Sequence, residues 1–90
     1  MLFVGVFSYP STNRHAVQAR FRETKGAAPP AGIKMIGRWH AIGAGKGVHV
    51  CECDDPMAMA KWVQDWSDLL SIDIYPALDD AGAAKRLALH

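Results

Sequence analysis

Val48-His-Val-Cys-Glu-Cys-Asp-Asp-Pro-Met-Ala-Met-Ala-Lys-Trp-Val-Gln-Asp-Trp66 changes its apolar period halfway along, and that change decides the fold. The first six residues, Val48 to Cys53, read as one arm of a β-hairpin. Asp54-Asp55-Pro56 closes it: an acidic N-cap precedes a proline at the first helical position, where the missing N–H costs no hydrogen bond. Beyond it, Met59, Trp62, Val63 and Trp66 recur at i, i+3, i+4 and i+7, the apolar stripe of an amphipathic helix. Strand, cap and helix are thus adjacent with no room for a long connection.

Upstream, Ile33 to Ile42 pairs with Val48 to Asp54 as a hairpin around Gly43, Gly45 and Gly47. Ala27-Ala-Pro-Pro-Ala-Gly32 is the one linker-like stretch and is too short to separate domains. Before it, Ser11, Thr12 and Asn13 can each cap a helix from Arg14 to Lys25, with Val17, Phe21 and Thr24 facing inward and Gly26 as the stop. Leu2 to Tyr9 is apolar at both alternating sets of positions, as a strand covered on two sides would be, and Pro10 ends it. Downstream, Ser67-Asp68 breaks the second helix. Leu70, Ile72 and Ile74 then alternate with Ser71, Asp73 and Tyr75 in a fourth strand ended by Pro76. Asp79 or Asp80 caps a short C-terminal helix running through Leu89, weakened by Gly82, with His90 at a frayed end.

The order is βαββαβ plus a tail, the α+β ferredoxin-like arrangement of a four-stranded antiparallel sheet with two helices on one face. The second face is bare although the first strand is apolar toward it. A second copy of the same sheet is the economical cover, so a homodimer through sheet-to-sheet contact is expected.

Ninety residues make one domain, 1–90. Half are hydrophobic and 21% charged, too apolar for a disordered chain. The net charge is +1 and the basic residues are scattered, which argues against nucleic-acid and anionic-membrane partners. No run approaches the ~18–20 apolar residues of a membrane span. Leu2 to Tyr9 has neither the basic flank nor the cleavage site of a signal peptide. Cys51 and Cys53, two apart, are no disulfide framework. The expected location is the cytoplasm.

Glu52-Cys-Asp-Asp-Pro56, Trp62, Trp66-Ser-Asp-Leu69 and Ile74-Tyr-Pro76 together resemble the DUF3303 family of small bacterial proteins of unknown function. Arg20-Phe-Arg22, Pro30 to Gly32, Lys34 and Trp39 fit the same pattern, and the resemblance covers roughly residues 1–78. It implies the dimeric α/β-barrel superfamily, in which two such sheets face each other. That superfamily contains cofactor-free monooxygenases, muconolactone-isomerase-like enzymes, haem-degrading enzymes and proteins without known activity. The family brings no catalytic residues to carry over, and the fold alone does not choose a chemistry.

Three constellations carry the candidate chemistry. With an even-numbered hairpin loop centred between Ala44 and Gly45, His40 lies opposite His49, Arg38 opposite Cys51 and Ile36 opposite Cys53, all on the face away from the helices. Such a set can bind zinc or copper, or Arg38 can activate the Cys51 thiol. The alternative is an inert interface of hydrogen-bonded histidines and small apolar cysteines, with no metal, and this is the expectation adopted.

By the same parity Glu52 shares the helix-covered face with Ile33, Met35, Trp39, Ala41, Val48 and Val50. A carboxyl group there acquires a raised pKa and becomes the acid–base candidate, unless Lys34, Arg38 or an indole N–H holds it structurally. Trp39, Trp62 and Trp66 form an aromatic wall suited to a flat organic ligand, or simply core. His15, in the first turn of the first helix, faces either a pocket mouth or solvent. No phosphate-cradling glycine loop precedes a helix, and no nucleophilic triad assembles, so no cofactor is expected. The expected function is binding of a small, partly aromatic molecule in a helix–sheet cleft, with cofactor-independent oxygenation or isomerisation if there is turnover. The rivals are a non-catalytic interaction protein with a filled core and a metal or redox site at the hairpin.

Overall fold

The computed structural model describes residues 1–88. Its strands are β1 (Leu2–Ser8), β2 (Ile33–His40), β3 (Lys46–Cys53) and β4 (Ser71–Ala77); its helices are α1 (Arg14–Glu23), α2 (Pro56–Trp66) and α3 (Asp80–Ala88). The strands form one antiparallel sheet in the order β2-β3-β1-β4, with the doubly apolar β1 in the interior as expected. The α+β ferredoxin-like fold class is therefore the one the chain adopts. Leu89 and His90, the expected end of the last helix and the terminal histidine, lie outside the described residues.

α2 starts where Asp54-Asp55-Pro56 places it. Asp55 adopts extended backbone and its Oδ1 accepts from the Met57 N–H at 2.9 Å, with proline next in line. The start of α1 is built differently. Ser11–Asn13 makes one 3₁₀ turn, and Asn13 caps nothing; its Nδ2 instead donates to the Leu69 carbonyl at 3.0 Å, tying the turn to the segment before β4. α1 stops two residues before the expected end, where the Thr24 hydroxyl donates to the Arg20 carbonyl at 2.7 Å.

The faces of the sheet are the main correction. The face under the helices carries Phe3 and Phe7 of β1 and His49, Cys51 and Cys53 of β3, all buried, with Met59, Trp62 and Trp66 of α2 laid over them. Val48, Val50 and Glu52, expected there, point the other way. Both sets are apolar enough to be core, so parity alone was ambiguous. The cysteines are small and let α2 approach, which settles the choice in favour of the His49 set.

The hairpin register differs from the expected one for a second reason. His40 pairs with Gly47 and Arg38 with His49, two residues from the expected pairing. An even shift preserves parity, so His40 and His49 do share a face, but it is the helix-covered one. Between Met35 and Gly37 the register slips by one at a β-bulge, with Ile36 as the extra residue. The bulge lets Ile33 and Met35 point inward beside the cysteines while Trp39 turns outward. α3 buries no residue.

Candidate functional site

α1 also buries no residue, and that is what opens the site. The helix is tied to the turn after α2 rather than packed into the sheet. Arg20 forms a two-pronged ion pair with Asp68, 2.7 Å on each arm, and its guanidinium lies 5.5 Å from the centre of the Trp66 ring. Burial at α2 and tethering at α1 leave a cleft of about 510 Å³ between α1, α2 and the sheet. Val17 and Phe21 form its α1 wall, as the helical spacing predicted; Thr24 does not take part.

Trp62 and Trp66 form the α2 wall, and Phe7, Arg38, His40 and His49 form the sheet floor. His49 sits deepest. Its imidazole lies over Gly5 of β1, in the space that a side chain at position 5 would occupy, and stacks on Trp62 with centroids 5.6 Å apart and planes 7° from parallel. Its Nε2 is buried without a hydrogen-bond partner. Burial holds the pKa of His49 below its ordinary value, and the positive charge of Arg38, directly across the strand pair, pushes it the same way. The imidazole is therefore neutral at physiological pH.

Arg38 is fixed by backbone geometry outside the sheet. Lys25, Gly26 and Ala27 all have positive φ (56°, 76° and 51°), a left-handed turn that non-glycine residues adopt only at a cost. The turn buries the Ala27 methyl and aims the Ala27 carbonyl at Arg38 Nη2, 3.0 Å away. The guanidinium also lies 5.7 Å from the centre of the Phe21 ring. His40, nearer the mouth, meets Phe7 and Phe21 edge-on at 5.7 and 5.9 Å.

The sequence-predicted residues divide between the two faces. Trp62 and Trp66 line the cleft together. Trp39 does not: its ring folds over Gly37 on the open face and is 58% exposed. His15 is exposed on α1 and is not part of the lining. Glu52 is on the open face at the sheet rim, where its Oε1 accepts from the Met1 ammonium at 2.6 Å. The desolvated carboxyl group on which an acid–base role depended does not exist at that position. Cys51 is fully buried, and burial pushes its thiol up, outweighing the opposing influence of Arg38. Both the burial and the raised pKa disfavour a thiolate at this position. Among the described residues no three His, Cys, Asp or Glu side chains converge as a metal site.

Sequence reasoning missed His49, Arg38 and Phe7 as cleft residues. The available signal was Gly5, a residue without a side chain inside the most apolar strand, which marks a close approach from a neighbour.

A four-stranded antiparallel sheet with its helices and an open cleft on one side defines a ferredoxin-like α+β protein. Solved structures with this fold include Rv0793 from Mycobacterium tuberculosis, 13% identical over 89% of this chain and 96% of that one, with a TM-score of 0.52. A candidate antibiotic biosynthesis monooxygenase from Deinococcus radiodurans is 16% identical over 88% of this chain and 94% of that one, with a TM-score of 0.49. No curated protein matches the chain in sequence. The chain belongs to the DUF3303 family, a domain of unknown function, whose profile matches residues 1–90.

Proposed function

We propose that this protein binds a small, partly aromatic molecule in the helix–sheet cleft and works as a cytoplasmic homodimer joined through the open sheet face. The observation that carries the binding reading is the cleft itself. Its volume, about 510 Å³, falls within the usual range of small-molecule sites, and Phe7, Phe21, Trp62 and Trp66 supply flat apolar walls. The chain's own side chains do not fill it, which disfavours the reading in which α1 merely completes a core. The dimer is supported by the open face, where Val6, Val48, Trp39 and Tyr75 stand exposed side by side on four paired strands. Two free, buried cysteines suit the reducing cytoplasm.

N-phenyl-1-naphthylamine, a neutral probe that fluoresces in apolar sites, tests the cleft. Saturable binding at one probe per subunit is expected, weakened at least ~10-fold by Val17→Trp, which fills the cleft from α1 without touching the open face. Binding unaffected by that substitution would overturn the reading. Sedimentation analysis tests the dimer, and a monomer at micromolar concentration would refute it.

Turnover is favoured by one further observation. A neutral imidazole at the floor of an apolar cleft is the form that accepts a proton from a bound molecule. Removal of a proton is how a cofactor-independent oxygenation or an isomerisation begins, and we assign it to His49 in preference to Glu52, through the ring nitrogen other than the Nε2 packed over Gly5. Loss of ligand deuterium exchange in His49→Phe, with probe binding retained, is the expected result.

A further inference from the structure

The cleft is lined by Arg22, Arg38, His40 and His49 and by no carboxylate. Ion pairs elsewhere involve other groups: among the described residues they join Met1 to Glu52 and Asp54, and Arg20 to Asp68. Arg38 is in none of them. It is half-buried, gives one N–H to the Ala27 carbonyl, rests against the Phe21 ring, and has no anion beside it. Partial burial of a guanidinium carries a desolvation cost that a carbonyl and an aromatic face offset only in part. The residue opposite it in the sheet, His49, is neutral and supplies no countercharge. A fold that spends a left-handed turn on positioning an unpaired cation in an aromatic cleft leaves a charge for something else to neutralise.

We propose that the cleft is an anion site whose ligand is a flat conjugated carboxylate, the carboxylate on Arg38 and the ring system in the space bounded by Phe7, Phe21 and Trp66, against the edge of the Trp62–His49 stack. This rests on the cleft being a binding site and goes further by naming the charge of the occupant. A guanidinium presents a planar fork of N–H donors that matches a carboxylate in two parallel bonds. A single fixed guanidinium suits a monoanion. A phosphate dianion would want more cations or a cradle of backbone N–H groups, and neither is among the lining residues at depth; Arg22, the other arginine, is exposed on α1. The neutral state of His49 keeps the floor apolar enough for a ring to stack while leaving Arg38 as the dominant charge.

The test compares 2-naphthoate with 2-naphthylmethanol, the same ring with and without the charge, by quenching of tryptophan fluorescence and by calorimetry at pH 7.5. The expected result is naphthoate binding at least ~10-fold tighter, by an advantage that shrinks as salt is raised. Arg38→Met should erase the advantage while leaving naphthylmethanol binding within about threefold, and Arg38→Lys should restore part of it, since charge returns without the fork. Arg22→Gln should change the ratio less than threefold. Equal binding of acid and alcohol by the unaltered protein would overturn the anion assignment and leave the cleft reading standing. Binding of neither would overturn both. Tighter binding of 2-naphthyl phosphate than of naphthoate would overturn the carboxylate assignment. The wild-type comparison decides the matter even if an Arg38 variant fails to fold.

Discussion

On the helix-covered face, Phe3, Phe7, Cys51 and Cys53 are buried beneath Met59, Trp62 and Trp66 of the same chain. On the opposite face, Val6, Val48, Trp39 and Tyr75 stand between 38% and 58% exposed. The residue types are similar, yet one face carries an internal core with a cleft beside it and the other carries an exposed apolar surface. The difference comes from what each face meets, not from how apolar it is. Large rings on α2 need small or flat partners below them, and β3 offers cysteines and an imidazole. Branched residues such as Val48 and Val50, with Trp39 beside them, make a broad sheet surface better matched to another sheet.

The two tryptophan environments give the sharpest way to break that comparison. Trp62→Ala removes a buried ring and the stack on His49, and should cost about 3–5 kcal/mol of unfolding free energy. Trp39→Ala, on the open face, should change the stability of an isolated subunit by no more than ~0.5 kcal/mol, as exposed substitutions usually do, while weakening self-association. Urea titrations read at several protein concentrations separate the two effects. Equal losses would mean that the faces are not distinct.

A smaller effect is expected beneath the cleft floor. An added Cβ at Gly5 would fall inside the His49 imidazole, so Gly5→Ala must move the ring off Trp62. Overpacking of this kind costs about 1–3 kcal/mol. The change should also weaken occupancy of the cleft, detectable as reduced binding of the neutral naphthylamine probe. The close neighbour at Gly5 is the cleft-floor imidazole itself, whereas an added Cβ at Gly32 would meet nothing within contact distance.

Acid sharpens the comparison further. The pKa of His49 is lowered by burial first and by Arg38 second, from an ordinary value of 6.5. A group with a depressed folded-state pKa binds more protons when unfolded. Stability should therefore be indifferent to this residue above pH 6.5 and fall as the pH drops below it. His49→Phe, which keeps a stackable ring, should flatten the acid limb of the stability curve relative to wild type. A limb of unchanged slope would show that the imidazole is not desolvated.

The smallest effect belongs to Glu52→Gln. The side chain is exposed, at 48% of its surface, and meets the Met1 ammonium on the face away from the cleft. Probe binding should change less than about twofold. A large loss would return the acid–base role to a residue the geometry has removed from the site.

Local chemistry was legible in the sequence because it is set by neighbours along the chain. The cap at Asp55, the proline at the start of α2, the stripe Met59–Trp62–Trp66 and the doubly apolar β1 each follow from a few adjacent residues, and together they determined element order and fold class. Sidedness did not follow. Val48, Val50 and Glu52 alternate with His49, Cys51 and Cys53, and each set alone is compatible with a core; only the fit of α2 onto the sheet chooses between them. The bulge at Ile36 then reverses the parity of β2 midway, which no alternation pattern announces, and moves Trp39 from the expected wall to the open face. The cleft depended on long-range ties in the same way: Arg20 with Asp68 holds α1, Asn13 reaches Leu69, and a left-handed turn at Ala27 aims Arg38. These partners are 48, 56 and 11 positions apart and meet only after the sheet has formed, so the sequence determined what the elements are and tertiary packing decided which of their faces carries the site.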